Sequence, residues 1–263
     1  MADSAEALGA VCASALKRLR AERPRVHVIT NTVAQPITAN GLLALGAIPS
    51  LTTDPEEVPD FVGRARALVI NLGTLDRTRR AAIDAAVDVA RAEQRPFVLD
   101  PVFADVAPAR CAFAKALLDR DPTVVRPNLH EFKALFGTEA DDLSGMADAA
   151  ASALTVIAVT GAIDRVSDGE RLVNLQHGVP VMDRVTAIGC LTSAVIGAYL
   201  GVTRNAFEAA VAGLVTVGMA GEIAARATDM PGSFAVTFLD ALAMLEADDL
   251  ATQLRLAGEG DAA

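Results

Sequence analysis

Short apolar runs that alternate with longer segments of helical periodicity constrain the fold of this chain more than any other feature. Five runs rich in β-branched and aliphatic residues lie at 26–30, 67–71, 96–100, 123–126 and 155–160. Because these runs are almost continuously apolar, they predict strands that are buried on both faces. Strands of this kind, separated by helices, predict an α/β fold with a mainly parallel sheet covered by helices.

Two local patterns add detail to this predicted sheet. Residues 79–90 carry apolar side chains at helical spacing, with Arg79 among the charged residues of the opposite face, which predicts an amphipathic crossover helix. Asp168 and Gly169 lie between two short apolar segments and predict a tight hairpin. We therefore expect an antiparallel pair of strands at one edge of the sheet.

The C-terminal part of the chain is predicted to be helical. Asn205 and Glu208 have the spacing of a capping box and open an apolar helix expected to run through Ala220. A last amphipathic helix is expected over 240–254, and a short disordered tail from about residue 258.

Composition limits the class of protein. The chain has 263 residues, of which 52% are hydrophobic and 4% aromatic, which suits one domain over residues 1–263 with a large aliphatic core. A net charge of −10 and three scattered lysines disfavour nucleic acid or an anionic membrane as a partner. The N-terminus lacks the organisation of a signal peptide, and no uninterrupted apolar run reaches the roughly 18 residues of a spanning helix. We therefore expect a soluble, cytoplasmic protein.

Cysteine and histidine are too dispersed to form a structural framework. Cys12, Cys111 and Cys190 are an odd number at wide spacing, and the three histidines are equally scattered. We therefore expect free thiols, without a disulfide framework or a zinc site.

Polar residues follow each of the five predicted strands. Asn31 comes after the first, Asn71 after the second, Asp100 at the end of the third, Arg126 at the end of the fourth and Thr160 at the end of the fifth. Each of them alone is explained by helix capping. Because ligands of open parallel sheets gather at the carboxyl ends of the strands, five such residues together predict a site at that edge.

Residues 185–190 form a glycine-containing turn that ends at Cys190 and leads into an apolar segment, 191–200. Unpaired amides at a helix start attract anions, and the same positive end lowers the pKa of a thiol. The pattern therefore suits a phosphate site together with a nucleophile or a base. The alternative is that Cys190 only packs, since cysteine is among the most often buried small residues.

The segment from Asn128 to Glu131 also has two interpretations. Asn at an N-cap with Glu three residues later forms a capping box and requires no ligand. However, Arg126 just upstream supplies a cation for phosphate oxygens, and Asp100 a carboxylate for Mg²⁺. Together they fit a nucleotide. Because the chain has neither a P-loop motif nor Gly-x-Gly-x-x-Gly, the helix start at Gly189 is the expected phosphate site.

An ordered set of motifs covers nearly the whole chain. These motifs are Thr38-Ala-Asn-Gly-Leu-Leu-Ala-Leu-Gly46, Asn71-Leu-Gly-Thr74, Leu99-Asp-Pro-Val102, Arg126-x-Asn-x-x-Glu131, Val159-Thr-Gly161, Val185-Thr-x-x-Gly-Cys190 and Pro231-Gly-Ser-Phe234. In this combination the chain resembles hydroxyethylthiazole kinase, of the ribokinase-like superfamily. The resemblance implies a ribokinase-like fold, ATP with Mg²⁺, and phosphorylation of the hydroxyl of 4-methyl-5-(2-hydroxyethyl)thiazole in thiamine salvage. It also implies a homotrimer with sites between subunits.

The same resemblance implies roles for individual residues. Cys190 would be the catalytic base, in the position where the wider superfamily usually has an aspartate. The other roles are an anion hole at Ala187, Ile188 and Gly189, ATP contacts from Arg126, Asn128 and Thr160, substrate contacts from Asn31, Leu51 and Ala187, and magnesium ligands at Asp100 and Glu131.

Departures from the family pattern cluster at this expected site. Ala187 and Ile188 stand where the family usually has glycine and then threonine or alanine, Pro36 stands in place of asparagine, and 103–106 replaces a glycine-rich turn. Three alternatives therefore accompany the thiazole kinase. They are a kinase for another small alcohol, a non-catalytic nucleotide-binding relative, and the ATP-dependent hydrate dehydratase of nicotinamide-nucleotide repair.

Overall fold

An eight-stranded sheet organises the residues that the structure, a computed structural model, describes: 4–139 and 142–258. The strands are β1 (Arg25–Ile29), β2 (Ile48–Ser50), β3 (Ala67–Asn71), β4 (Phe97–Asp100), β5 (Val124–Val125), β6 (Val156–Val159), β7 (Asp164–Ser167) and β8 (Leu172–Leu175). Their order is β2-β1-β3-β4-β5-β6-β7-β8, parallel from β2 to β6 and antiparallel from β6 to β8. This confirms the predicted α/β fold, its mainly parallel sheet and its antiparallel edge.

Helices cover both faces of the sheet. They are α1 (Ala5–Glu22), α2 (Gln35–Leu45), α3 (Val58–Arg64), α4 (Arg77–Ala92), α5 (Pro108–Leu118), α6 (Leu129–Phe136), α7 (Leu143–Ala153), α8 (Ile188–Leu200), α9 (Ala206–Ala227), α10 (Pro231–Met244) and α11 (Ala247–Gln253), with a 3-10 helix at Pro180–Arg184. The larger core lies between one face and the group α1, α2, α8, α9, α10 and α11. Smaller clusters lie under α3, α4 and α5 and under α6 and α7 on the other face. Because both faces are covered, the strands are apolar throughout, as predicted.

The predicted hairpin connects β7 and β8. Asp168 Oδ1 accepts hydrogen bonds from the amides of Glu170 (3.1 Å) and Arg171 (2.7 Å), which closes the turn. Gly169 has a φ of +93°, and a Cβ there would lie 2.9 Å from Ala151. Glycine is therefore required at this position for both backbone and packing reasons.

The predicted crossover helix is α4, and it differs from the prediction at one residue. Its apolar side chains from Ile83 to Ala90 pack under the sheet as expected. Arg79 was expected on the polar face but is only 9% exposed. Its Nη1 donates to Asp76 Oδ2 (2.8 Å) and to the carbonyl of Thr74 (3.3 Å), so local partners allow the guanidinium to be buried.

The central helices α8 and α9 are apolar on nearly every side. The predicted capping box at the start of α9 is present in part, since Asn205 Oδ1 accepts from the amide of Glu208 (3.2 Å) and its Nδ2 donates to Glu208 Oε1 (2.9 Å). The helix continues past Ala220 to Ala227. By length and composition α9 could cross a membrane, but 78% of its apolar window is buried within the protein, as in a core helix.

Three predictions about the elements need correction or lie outside the description. Strand β2 was not predicted, because it has only three half-buried residues, one of them proline. The single helix expected over 240–254 is two helices, α10 and α11, separated at Leu245–Glu246. Of the predicted tail, residues 259–263 lie outside the described residues.

Candidate active site

The five polar strand ends meet at one edge of the sheet. Asn31 Nδ2 donates to Asn71 Oδ1 (3.2 Å), and Asn71 Nδ2 donates to Asp100 Oδ2 (2.8 Å). Arg126 then donates to Asp100 Oδ2 through Nη1 (3.3 Å) and to Thr160 Oγ1 through Nη2 (2.9 Å). One continuous set of hydrogen bonds thus joins all five residues, which confirms the expectation that they lie together.

Asp100 is the buried centre of this set. Its Oδ2 accepts from Asn71, from Arg126 and from Ser193 Oγ (2.8 Å), whereas its Oδ1 is buried without a hydrogen-bond partner. Burial raises the pKa of the carboxyl, against the opposing effects of Arg126, Ser193 and Asn71. With three donors on one oxygen, the carboxylate is fixed in orientation and its second oxygen remains available.

Glu131 lies in the same electrostatic field. The capping box is present: Asn128 Oδ1 accepts from the amide of Glu131 (2.9 Å), and Glu131 Oε2 accepts from the amide of Asn128 (2.8 Å). Glu131 Oε1 accepts from the amide of Phe103 (2.9 Å). Burial and then the negative charge of Asp100 raise the pKa of Glu131, against the opposing hydrogen bonds and Arg126. Both interpretations of this segment are therefore compatible with its geometry.

Asp100 and Glu131 fit a hydrated divalent cation. The unpartnered Asp100 Oδ1 is an acceptor that lacks a donor, and the charge of Asp100 raises the pKa of Glu131, a repulsion that a cation would cancel. Within 4–139 and 142–258 no group of three or more His, Cys, Asp or Glu side chains could enclose a metal ion. This small donor set suits Mg²⁺, which keeps several waters and binds through one or two carboxylates plus phosphates.

Helix α8 begins in this network, at the predicted position. Ala187 is its N-cap, with φ 68° and ψ 11°, and its side chain makes no capping hydrogen bond. Amides of the first helical turn have no partner within the helix, so those of Ile188, Gly189 and Cys190 are available to an anion. Arg126 Nη1 donates to the carbonyl of Gly189 (3.0 Å). A Cβ on Gly189 would lie 3.0 Å from Arg126 Nη2, so the close approach of the guanidinium depends on glycine.

Cys190 lies in the first turn of α8, and its sulfur accepts two amide hydrogen bonds. Asn31 Nδ2 and Asn71 Nδ2 each donate to Sγ at 3.3 Å. The helix start predicted a lowered thiol pKa, and this is wrong: burial, followed by the charge of Asp100, raises the pKa of Cys190 to about 11. Arg126 and the two amides oppose these effects without outweighing them.

A cleft of about 720 Å³ opens beside the network. Its polar end includes Arg126, Asn128 and Thr160, and the start of α8 from Ala187 to Gly189 forms one side. Its apolar wall consists of Val179, Pro180, Met182, Val185, Leu214 and Val217. The lining thus combines cationic and amide donors with aliphatic side chains, and it also includes the carboxylates of Asp164 and Asp183.

One predicted site residue lies apart from this arrangement. Leu51 directly follows edge strand β2, is half-buried against the larger core and does not line the cleft. Asn31, Asp100 and Cys190 also do not line the cleft but belong to the hydrogen-bond network beside it. Glu131 does not line the cleft either, but it is bonded to Asn128, which does.

The sequence interpretation missed two residues that organise the site. Asn71 was noted only as a strand end, yet its amide bridges Asp100 and Cys190. Ser193, which bonds Asp100, lies one helical turn beyond Cys190. This i,i+3 spacing on a predicted helix places both side chains on one face and was the available signal.

Comparison with known proteins identifies the family. A model of the "Hydroxyethylthiazole kinase family" matches residues 16–248. The chain belongs to the hydroxyethylthiazole kinase family. A hydroxyethylthiazole kinase of Granulibacter bethesdensis is 46% identical over 243 residues, covering 88% of this chain and 89% of the relative. A probable hydroxyethylthiazole kinase of Agrobacterium fabrum is 40% identical over 247 residues, covering 94% and 95%. Membership in the hydroxyethylthiazole kinase family makes this protein a kinase and confirms the resemblance.

Solved structures agree with this assignment. The hydroxyethylthiazole kinase protein from Pyrococcus horikoshii OT3 superimposes with a TM-score of 0.89 at 38% identity, over 94% of this chain and 98% of that one. The pyridoxal kinase from Staphylococcus aureus in complex with AMP-PCP superimposes with a TM-score of 0.61 at 20% identity, over 76% and 88%. The second match supports the fold alone, which is the ribokinase-like fold that the motifs predicted.

Proposed function

We propose that the protein transfers the γ-phosphoryl group of ATP to the hydroxyl of 4-methyl-5-(2-hydroxyethyl)thiazole, with Mg²⁺, in thiamine salvage. The observation that carries this proposal is the position of Arg126, which bonds Asp100, Thr160 and the carbonyl of Gly189 at the polar end of the cleft. A fixed cation beside unpaired helix amides is the arrangement that phosphoryl transfer requires. The names of the relatives support the choice of acceptor.

The cleft suits a nucleotide because its lining provides both donors for phosphate oxygens and an aliphatic surface. Arg126, Thr160 and the α8 amides would contact the phosphates, and Asn128 lies at the same end. The aliphatic wall, including Val179, would cover the base, since a flat apolar ring gains most from burial against such a surface.

Asp100 and Glu131 would hold Mg²⁺ near these phosphates. The ion supplies charge neutralisation for the phosphate oxygens and a template for their alignment. Arg126, for its part, keeps the Asp100 carboxylate in one orientation through Nη1. Asn71 and Ser193 do the same from the other sides.

Cys190 would receive the proton of the substrate hydroxyl. In the reaction a bond forms between the alcohol oxygen and the γ-phosphorus, the bond from that phosphorus to the β,γ-bridging oxygen breaks, ADP leaves, and the proton passes to the thiolate form of Cys190, which becomes the neutral thiol. Because the pKa of Cys190 is about 11, the thiol is protonated at neutral pH and the thiolate that acts as the base is rarely populated. Because the transition state is loose, proton removal is needed late and adds less than alignment and charge stabilisation.

The remaining parts of the proposal concern assembly and environment. We assign the protein to the cytoplasm as a homotrimer with sites between subunits, acting on a small alcohol rather than on nucleic acid or a membrane. Support for assembly comes from exposed apolar side chains on the packed pair α2 and α10, where Leu43 is 54%, Val236 64% and Met244 71% exposed. A contiguous apolar patch on these two helices would mark an interface between subunits. Asn31 and the half-buried Leu51 would contact the thiazole near Ala187.

Steady-state kinetics with ATP and a panel of small alcohols tests the function. We expect the thiazole alcohol to give the highest kcat/KM. A higher value for another alcohol would transfer the assignment to that substrate, and ATP binding without turnover of any alcohol would indicate a non-catalytic relative. The alternative that the protein is a kinase for another small alcohol is favoured by Ala187 and Ile188, which depart from the family pattern.

A binding experiment tests the phosphate clamp separately. Loss of a charge-assisted contact costs about 1.5 to 3 kcal/mol, so Arg126→Ala should weaken ATP binding roughly tenfold or more in calorimetry. Arg91→Ala is the matched control, because Arg91 pairs with exposed Asp121 outside the cleft. Equal ATP affinities for both variants would refute the clamp.

A further inference from the structure

The last described residues of the chain extend the sheet beyond β8. Leu256 pairs with Leu175 in an antiparallel bridge. The amide of Gln176 donates to the carbonyl of Arg255 (3.2 Å), and the amide of Ala257 donates to the carbonyl of Asn174 (2.9 Å). Residues 255–257 thus pair with the edge strand β8, next to the turn where β8 leads into the cleft wall.

A side-chain cluster joins this segment to α9 and to that turn. Glu222 Oε1, on α9, accepts from Arg255 Nη2 (2.6 Å), from the amide of Gly178 (3.0 Å) and from His177 Nδ1 (3.1 Å). His177 Nε2 accepts from the amide of Arg255 (3.0 Å). Because Nε2 accepts, the ring proton is on Nδ1, and each polar atom of the imidazole has one partner.

The turn held by this cluster is tightly packed. The side chain of His177 is 1% exposed, and a Cβ on Gly218 of α9 would lie 2.5 Å from His177 Cβ. Gly178 has a φ of +103°, which fixes the direction in which the chain enters the aliphatic wall at Val179. His177 and Gly178 line the cleft, whereas Glu222 and Arg255 do not.

Glu222 is ionised in this setting. Burial opposes its charge, but hydrogen bonds from Arg255 and from the amide of Gly178, together with the charge of Arg255, outweigh burial and lower its pKa. Removal of Arg255 therefore leaves the Glu222 carboxylate, on which the His177–Gly178 turn depends, without the guanidinium that fixes its orientation. The effect reaches the cleft only through that turn.

We propose that Glu222 and Arg255 are positioning residues for nucleotide binding, and that through His177 and Gly178 they hold the aliphatic wall of the cleft in place. The C-terminal segment thereby sets nucleotide affinity from outside the site. This inference rests on the proposed use of the cleft for ATP.

The direct test is Arg255→Ala in the full chain, with MgATP affinity measured by calorimetry in the absence of alcohol. We expect the Kd for ATP to rise roughly three- to tenfold, while kcat and the KM for the alcohol change less than about twofold. Arg255→Lys keeps the charge and should restore most of the affinity. Arg255 joins Glu222 to the backbone carbonyl of Gln176, to which Nη2 donates at 2.9 Å. Arg66→Ala is the matched control, because Arg66 joins Glu22 to the backbone carbonyl of Gly201 in the same way, but outside the cleft.

The outcomes separate this inference from the proposed function. If wild type binds ATP and Arg255→Ala binds it equally well, or if Arg66→Ala weakens it as much, the positioning role is wrong. If wild type does not bind ATP, the proposed function fails and this inference fails with it.

Hydrogen exchange provides a second measurement that needs no activity. The Gly178 amide should be protected in wild type and exchange faster in Glu222→Ala, whereas Glu222→Gln, which retains an acceptor oxygen, should preserve most of the protection. Unchanged exchange at Gly178 in folded Glu222→Ala would overturn the proposal. Should that variant not fold, the same comparison in Arg255→Ala decides the question.

Discussion

Ala187 is a strained residue at the start of the candidate anion site. Its φ of 68° and ψ of 11° lie in the left-handed region, and it caps α8 without a side-chain hydrogen bond. For a residue with a Cβ this conformation costs about 1 to 2 kcal/mol. The change Ala187→Gly removes that cost at a position where the backbone conformation is already suited to glycine.

The size of the effect follows from two opposing contributions. Relief of about 1 to 2 kcal/mol is reduced by about 0.4 to 1 kcal/mol, because glycine is more flexible in the unfolded chain. We therefore expect Ala187→Gly to raise the free energy of unfolding by up to about 1.6 kcal/mol. At about 2 to 4 °C per kcal/mol, the Tm should rise by up to about 6 °C.

Urea unfolding and calorimetry at one fixed protein concentration measure this change, and Leu154→Gly is the control. Leu154 also has a positive φ, of 51°, but it is 89% exposed and caps α7, so its removal loses little packing. Both variants should be stabilised, and only Ala187→Gly should alter turnover. A destabilised Ala187→Gly alongside a stabilised Leu154→Gly would refute the strain argument.

Three further predictions address the site and its surroundings. The double variant Ala187→Gly with Ile188→Thr should raise thiazole turnover roughly tenfold. Because Ile188 is only 5% exposed and packs in the core, the same variant should lose about 1 to 2 kcal/mol of its free energy of unfolding. Cys190→Ser should lower kcat by about 10²-fold, the low end of the usual contribution of a base because the thiolate is rarely populated, with ATP affinity intact in calorimetry; normal turnover by Cys190→Ala would mean that the thiol only packs. Burial lowers the pKa of His27 to about 4. As the pH falls from 6.5 to 4, the unfolded state binds the proton first, so the free energy of unfolding should decrease. The decrease should be less steep in His27→Gln. The comparison of the two proteins separates the effect of His27 from that of Asp164. Burial raises the pKa of Asp164 to about 6, so protonation of Asp164 stabilises the folded state as the pH falls.

The site was predictable wherever topology alone determines position. In a parallel sheet every carboxyl end lies at one edge, so residues that follow strands, such as Asn31 and Thr160, meet without further information. The capping box at Asn128 was equally accessible, because its two hydrogen bonds depend on residues only three apart. Local spacing and sheet topology are both visible in a sequence.

Contacts that arise from packing were not predictable in this way. Strand β2 is too short to show a periodic pattern and forms because β1 offers a free edge. The break between α10 and α11 had a weak signal, since Glu246 and Asp249 form a capping box that restarts the helix. Two acidic residues at this spacing are common on exposed helical surfaces, so the pattern alone did not indicate a boundary.

The thiol shows why local electrostatics mislead at a buried site. A helix start favours the thiolate, and the amides of Asn31 and Asn71 add to that preference. Burial and the charge of Asp100 nevertheless prevail, and neither is visible from residues 185–190. The direction of a pKa shift therefore cannot be inferred from a motif alone. It also depends on how deeply the group is buried and on charges that other strands place beside it.

The same burial affects the groups that would meet an anionic substrate and its counterion. It raises the pKa values of Asp100, Glu131 and Cys190, so the charged forms of all three groups are disfavoured. A cation beside Asp100 would reverse the repulsion that this carboxylate exerts on the other two. Asn71 donates to both Asp100 Oδ2 and Cys190 Sγ and so holds these two groups in a fixed relation to each other. Dipoles that are already oriented toward the position where charge develops are the main source of electrostatic catalysis, because they need not reorganise during the reaction.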